Sequence, residues 1–92
     1  MAELSAFNFE QLLLTDSPQT LSPTMFTNAT KAFLTCEGLA RFRYDNGIPS
    51  STVGHIMNDG MTLVLNGELQ IKGFSAICAS NNPTIISISY ER

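Results

Sequence analysis

The sequence contains no tryptophan, a single histidine and two cysteines, and charged residues make up only 14% of the chain. Disordered chains are rich in charge and poor in apolar residues, whereas 43% of these 92 residues are hydrophobic. A chain of this length forms one domain with a core of modest size. The composition therefore predicts one folded domain, residues 1–92, with a low-charge surface suited to contacts with other chains.

Basic residues are also scarce, with five Lys and Arg against eight Asp and Glu. Nucleic-acid-binding proteins take most of their affinity from clusters of basic residues that neutralise phosphates. Arg41 and Arg43 form the one local basic group, and they lie two positions apart, on one face of a strand. The sequence thus predicts no nucleic-acid partner, and the two arginines are interpreted as a solvated or partner-facing strand.

The residues needed for catalysis or metal binding are too few and too scattered. His55 lies between turn signals, and no partner is placed beside it by the sequence; Cys36 and Cys78 lack the spacing of metal ligands. The serine-nucleophile, phosphate-binding and dinucleotide-binding glycine motifs are all missing. We expect a non-enzymatic protein with no cofactor and no metal, in which both cysteines are buried thiols, a disulfide being the alternative.

Long apolar runs are missing as well. None approaches the ~20 residues needed to cross a bilayer, and no basic segment followed by an apolar stretch marks a secretory signal at the N-terminus. The sequence predicts a protein that has no membrane partner and is made and kept reduced in a cytoplasm.

From Lys31 onwards the sequence alternates between apolar and polar residues with the period of two that marks strands. Residues 31–37 place Ala32, Leu34 and Cys36 on one face, and residues 84–90 repeat the pattern. In residues 39–44 the alternation predicts an inward face and an outward face. The inward residues are Ala40, Phe42 and Tyr44, and the outward ones are Arg41 and Arg43.

Turn signals separate these segments every 8–12 residues, as in sandwiches and small barrels. They include Asp45–Pro49, Asp59-Gly60, Asn66-Gly67 and Asn81–Pro83. Asn66-Gly67 lies between apolar segments and is the strongest hairpin signal, because both residues tolerate a positive φ. The sequence predicts an all-β fold: a single-domain β-sandwich or small barrel of about 6–8 mostly antiparallel strands.

The first thirty residues differ from this regular β core of residues 31–92. Phe7–Leu14 suits a strand, but the next nine residues are rich in turn formers and hold two of the four prolines. Residues 1–30 are therefore either an arm that reaches a neighbouring subunit or a core strand of the same subunit. Five residues are candidates for partner binding: Leu4, Phe7, Phe9, Arg41 and Arg43.

Residues 31–92 also resemble a group of small virion proteins of tailed bacteriophages. In these proteins a strand of the Arg-Phe-Arg type leads to a turn with Gly and Pro, then Gly-His, an Asp-Gly turn, a Phe-x-Ala-Ile strand and a closing strand ending in Tyr. The corresponding segments are Arg41–Pro49, Gly54-His55, Asp59-Gly60, Phe74–Ile77 and Ile86–Tyr90.

The resemblance implies a structural protein of the virion, assembled in the host cytoplasm. A capsid decoration (cement) protein that bridges capsid subunits is the leading expectation, and a tail, baseplate or collar accessory protein is the alternative. A ligand- or carbohydrate-binding β-sandwich is a further alternative from another class. The implied partners are the major capsid protein and other copies of the chain, and cement proteins suggest a trimer by analogy.

Overall fold

Eight strands form two antiparallel sheets in the computed structural model, which describes residues 6–50, 52–80 and 83–92. Sheet I has the order β1-β8-β3-β6, and sheet II has the order β2-β7-β4-β5. The elements are β1 (Ala6–Leu14), β2 (Gln19–Thr20), α1 (Pro23–Phe26), β3 (Lys31–Glu37), β4 (Ala40–Arg43), β5 (His55–Met57), β6 (Thr62–Asn66), α2 (Glu68–Gly73), β7 (Ser75–Cys78) and β8 (Thr84–Glu91). The predicted all-β fold is confirmed, and it is a sandwich.

The core lies between the two sheets, and the alternation of the sequence decides which side chains enter it. In β8 every second residue, from Thr84 to Tyr90, is buried, and β3 buries Ala32, Leu34 and Cys36 as predicted. Sheet II contributes Phe42 and Met57 to the same cluster. Full burial of one large apolar side chain stabilises the fold by about 1.5–3 kcal/mol, so these alternating positions hold the sheets together.

β1 belongs to the sheet of its own chain. It pairs with β8 from Ala6 to Leu14, with an irregularity between Ala6 and Asn8. Its inward residue Glu10 accepts hydrogen bonds through one carboxylate oxygen from the Tyr90 hydroxyl (3.1 Å) and the Ser22 amide (3.2 Å). Of the two alternatives for Phe7–Leu14, the structure has the core strand, while attachment to a particle through residues 1–30 stays a prediction.

The hairpin predicted at Asn66-Gly67 is wrong, because helix α2 follows β6 there. Gly67 has φ 86° and ψ 160°, which departs from the left-handed conformation of a type I′ turn. The residues that follow are good helix formers, and Ile71 of this helix is buried in the core. The helix covers one end of the sandwich, and this burial overrides the local turn signal.

Asp59-Gly60 does form a turn, but the turn connects sheet II to sheet I and is not a hairpin. An Asp59 carboxylate oxygen accepts from the Gly38 amide (3.0 Å), and the Gly60 amide donates to the Cys36 carbonyl (2.8 Å). The turn therefore fixes the end of β3. A hairpin would have required β5 and β6 to be neighbours, whereas they lie at edges of different sheets.

Tyr44, predicted to point inward, is instead 41% exposed. β4 ends at Arg43, so the alternation of the strand no longer fixes the direction of the next side chain. The ring still contacts Phe42, with 6.3 Å between ring centroids. Tyr44 thus lies at the margin of the core, at the start of the loop between β4 and β5.

Candidate interaction surfaces

The outward residues of sheet I form cross-strand rows that the strand register fixes. The first row is Phe9–Ser89–Phe33–Val64, the second is Gln11–Ser87–Thr35–Thr62, and the third is Leu13–Ile85–Glu37. A charged row, Glu91–Lys31–Asn66, borders the first row. We call these four rows the sheet I outer face. Residues opposite each other on neighbouring strands are about 4.5–5.5 Å apart, so each row is a continuous strip of side chains.

Large apolar side chains in these rows are open to solvent. Phe9 is 55% exposed, Leu13 59%, Phe33 39% and Val64 43%. Isolated exposed apolar residues are normal on a protein surface, whereas a contiguous apolar patch marks an interaction site. The first two rows carry no charged residue, and in the second row the Gln11 amide donates to the Ser87 hydroxyl (3.1 Å). This face is therefore a candidate interaction surface.

Of the candidate partner-binding residues in the N-terminal segment, Phe9 lies on this face. Phe7 is half-buried, and the Arg92 guanidinium carbon lies 4.3 Å from the centroid of its ring. That distance is typical of a cation–π contact, so Phe7 is engaged within its own chain. Leu4 lies outside the described residues.

Arg41 and Arg43 point outward from β4 in sheet II, and the predicted alternation with buried Ala40 and Phe42 is confirmed. An Arg41 guanidinium nitrogen donates to the Gly54 carbonyl (2.9 Å). The structure does not bring these arginines together with Phe9, which lies in the other sheet.

Arg43 forms a two-point ion pair with Asp45, with nitrogen–oxygen distances of 3.1 and 2.7 Å. This hydrogen bonding, together with donation from the Gly47 amide to the carboxylate, lowers the pKa of Asp45, and the pair raises the pKa of Arg43. Arg43 thus orders the start of the β4–β5 loop and is already paired with a carboxylate.

The loop between β4 and β5 carries a second apolar surface. Ile48 is 72% exposed and Val53 52% exposed. At the two ends of this loop, the rings of Tyr44 and His55 lie 6.0 Å apart and, with Arg43 and Asp45, line a concavity of about 250 Å³. We call Tyr44, Ile48, Val53 and His55 the β4–β5 loop surface. The two rings of this surface and the adjacent Arg43–Asp45 ion pair offer both stacking and hydrogen-bonding groups to a partner.

Both cysteines are free thiols, but their surroundings differ. Cys36 is buried as predicted, and burial, with smaller contributions from Asp59, Cys78 and Glu37, raises its pKa from 9.0 to about 11. Cys78 is only half-buried, at a concavity of about 340 Å³. Hydrogen bonds with Thr84 and Ser80 lower its pKa. The prediction of two buried thiols is therefore correct for Cys36 alone.

Hydrogen bonding of the buried side chains is complete within the described ranges. Among the residues that the structure describes, every buried side-chain nitrogen and oxygen has a hydrogen-bond partner. Within those same ranges, no three His, Cys, Asp or Glu side chains are placed to hold a metal ion.

In residues 6–50, 52–80 and 83–92 no helix has the length and apolar character of a membrane span.

Sequence reasoning missed Phe33, Val64 and Leu13 as surface residues. The signal in β3 was available, because Phe33 alternates with the inward residues Ala32 and Leu34 and must therefore point outward. No local signal shows that Phe9 and Val64 lie in the same row, since they come from strands that are distant in the sequence.

No family model, curated protein sequence or solved structure matches the chain.

Proposed function

We propose that the protein is a non-enzymatic structural component of a tailed-phage particle, and specifically a capsid decoration protein that bridges capsid subunits. The observation that carries the proposal is the sheet I outer face, where Phe9, Phe33 and Val64 form one exposed row without charge. Contiguous exposed apolar surface marks an interaction site and favours aggregation when it is left open. A protein held permanently in an assembly covers it.

A bridging protein needs at least two separate contact surfaces. The β4–β5 loop surface supplies the second, because it extends from sheet II while the outer face belongs to sheet I. Each contact is small, but repetition on a symmetric particle multiplies weak contacts into stable attachment. In this proposal the partners are further copies of the chain and the major capsid protein, and the location is the virion.

The test is quantitative mass spectrometry of heads and tails purified from the phage that encodes the chain. Wild-type protein is expected on heads in a fixed ratio to the major capsid protein. Ile48→Ser combined with Val53→Ser should lower that ratio at least tenfold while the protein stays folded. Leu69→Ser is the matched control, since Leu69 is 83% exposed on α2 and belongs to neither surface.

Absence of the wild-type protein from purified particles would contradict the proposal. Recovery on tails and not on heads would replace the decoration role by the tail accessory role. A Leu69→Ser variant that is lost as completely as the loop variant would show that the loop surface is not the contact.

The concavity beside Tyr44 favours one second candidate, a carbohydrate- or ligand-binding module. Tyr44 offers an exposed ring, and the neighbouring Arg43–Asp45 pair and His55 offer hydrogen-bonding groups. Glycan-array binding by the wild-type protein that disappears in Tyr44→Ala would support this function. Equal signals from both proteins would argue against it.

A further inference from the structure

We propose that two copies of the chain pack with their sheet I outer faces against each other, related by a two-fold axis that lies in the interface and runs perpendicular to the strands. This arrangement sets β3 of one copy antiparallel over β3 of the other. The inference rests on the proposed function, which requires two contact surfaces on each chain. It deepens that function by assigning one of them, the sheet I outer face, to contact with a second copy of the chain.

Charge selects this geometry. The outward residues of β3 begin with Lys31 and end with Glu37, and Phe33 and Thr35 lie between them. When two such strands cross in opposite directions, Lys31 of each copy faces Glu37 of the other. Oppositely charged groups that meet across an interface fix its register and reject other registers. Lys31 then lies between Glu91 of its own chain, its cross-strand neighbour, and Glu37 of the second copy.

Shape selects the same register. With the axis between the first two rows, Phe33 faces the smaller Thr35 of the second copy, and Phe9 faces Gln11. Large side chains therefore meet a row of smaller ones, which is how packed sheets interdigitate at about 10 Å separation. A shift by one row in one direction would place Phe33 against Glu37 and take an unpaired carboxylate out of water, which is costly. A shift by one row in the other direction would place Phe33 against Phe33 and Lys31 against Thr35, and both Lys31–Glu37 pairs would be lost.

A two-fold axis parallel to the strands is the main competing arrangement. It would place Lys31 opposite Glu91 of the second copy, but it would also leave Glu37 opposite Ile85 without a cationic partner. The perpendicular axis places Glu91 opposite Ile85 instead, but Glu91 keeps Lys31 of its own chain as its cross-strand neighbour, so each carboxylate of the face lies next to a lysine.

The area is sufficient for a specific but modest contact. Four strands at ~4.8 Å and four rows at ~6.7 Å give a flat area of roughly 500 Å² per copy. Two copies thus bury about 1,000 Å² or more, at the lower end for specific interfaces. Small interfaces of this kind are typical of weak or transient association, so we expect a dimer that dissociates on dilution.

The dimer also has the geometry of a bridge. β4 follows β3 after a two-residue connection and runs back, so the β4–β5 loop lies at the Lys31 end of the sandwich. A hydrogen bond from the Asn46 amide to the Gly73 carbonyl ties the loop to α2 at that end. The perpendicular two-fold axis sends the two loops to opposite ends, where each can contact a different particle subunit.

Sedimentation-velocity ultracentrifugation of the full chain over a range of concentrations tests the proposal. Wild type is expected to change reversibly from monomer to dimer. Glu37→Lys, which sets lysines opposite each other, should weaken the dimer at least tenfold, and so should Lys31→Glu. The double variant Lys31→Glu with Glu37→Lys restores opposite charges between the two copies but sets the new carboxylate beside Glu91 of its own chain. It should therefore dimerise more tightly than either single variant and less tightly than wild type.

Glu68→Lys is the matched control, because it makes the same charge change on α2 away from the face. Far-UV circular dichroism establishes that each variant is folded. If either charge reversal fails to fold, Phe33→Ser, which removes the largest contact without altering charge, should give a folded monomer.

Wild type that stays monomeric, or that sediments as a trimer, would overturn the proposed dimer. So would a Glu37→Lys variant that dimerises as tightly as wild type, or a double variant no tighter than the single ones. A monomer still found on phage heads would contradict only the dimer, whereas a dimer missing from purified particles would contradict only the proposed function.

Discussion

At the scale of single residues, Phe33 and Phe42 carry the same side chain, but Phe33 lies on the outer face of sheet I and Phe42 on the inner face of sheet II. Phe42 is 3% exposed, and the centroid of its ring lies 5.8 Å from that of Phe74, whereas Phe33 is 39% exposed. Phe42→Ala should lower the free energy of unfolding by about 3–5 kcal/mol because it leaves a cavity. Phe33→Ala should lower it by under about 1 kcal/mol.

Urea unfolding of both variants at a low, monomeric concentration measures this difference. Phe33→Ala then serves as the control for the loss of a phenyl ring as such. Equal losses for the two variants, or a larger loss for Phe33→Ala, would contradict the assignment of inner and outer faces.

The two thiols should differ in reactivity, since only thiolates react quickly with alkylating agents. Burial raises the pKa of Cys36 to about 11, while hydrogen bonds with Thr84 and Ser80 lower the pKa of Cys78. Iodoacetamide at pH 8 should therefore label Cys78 in the native protein, at a rate that rises with pH as its thiolate forms. Cys36 should react only after unfolding.

Peptide mass spectrometry of native and urea-unfolded samples identifies the labelled cysteine. Cys78→Ser supplies the control, because its native form should take up no label. Native labelling of Cys36 ahead of Cys78 would show that the surroundings of the two thiols have been assigned wrongly.

At the scale of elements, Glu10 links three parts of the chain. One carboxylate oxygen accepts from the hydroxyl of Tyr90 in β8 and from the Ser22 amide next to α1. Glu10→Ala removes the acceptor of both hydrogen bonds, and a buried donor without a partner costs about 1–3 kcal/mol. Because Tyr90 is fully buried, we expect Glu10→Ala to lower the free energy of unfolding by about that amount or more.

Glu10→Gln keeps a carbonyl oxygen at the same place and should lose less than half as much in the same urea experiment. If both substitutions cost equally, the negative charge and not the acceptor would be what holds β1. If neither costs anything, β1 would not depend on this link.

The start of α2 depends on the backbone of Gly67. Its φ of 86° and ψ of 160° lie in a region that side chains with a Cβ rarely enter. A Cβ at this position would meet no neighbouring atom, so the cost of Gly67→Ala is backbone strain alone, about 1–3 kcal/mol. Thermal unfolding should show a lower Tm.

The adjacent Glu68→Ala is the control for this prediction. It removes the exposed ion pair with Lys72 (2.7 Å), and such pairs contribute about 0.3–0.5 kcal/mol. A Tm for Gly67→Ala that is no lower than that for Glu68→Ala would mean that the turn accepts a side chain and that its geometry differs from the structure.

At the scale of the whole molecule, self-association couples to stability. A partner that binds only the folded chain stabilises it by mass action, so the Tm of wild type should rise with protein concentration. Glu37→Lys should show little or no such rise, since its dimer is weakened. Differential scanning calorimetry across a hundredfold concentration range makes the comparison; equal slopes for wild type and variant would contradict it.

The local sequence pattern is enough to assign the fold class and the two faces of the main strands. Alternation has a period of two in any strand, and it can be read without knowing which strands are neighbours. It groups Ala32, Leu34 and Cys36 on one face of β3, and Ile86, Ile88 and Tyr90 on one face of β8, and the structure buries all six. The same local rule placed Arg41 and Arg43 outward.

Which strands are neighbours, and therefore where the candidate surface lies, cannot be read from the local pattern and depends on long-range strand pairing. β1 and β3 both pair with β8, which is distant from each of them in the sequence, and this pairing brings Phe9, Phe33 and Val64 into one row. Tertiary contacts also override the local turn signal at Asn66-Gly67, because burial of Ile71 stabilises a helix that covers the open end of the sandwich. The face of a strand on which a side chain lies is a local property, set by the alternation along that strand. The identity of the neighbouring strands depends on contacts between distant parts of the chain, and an interaction surface is formed by side chains of neighbouring strands.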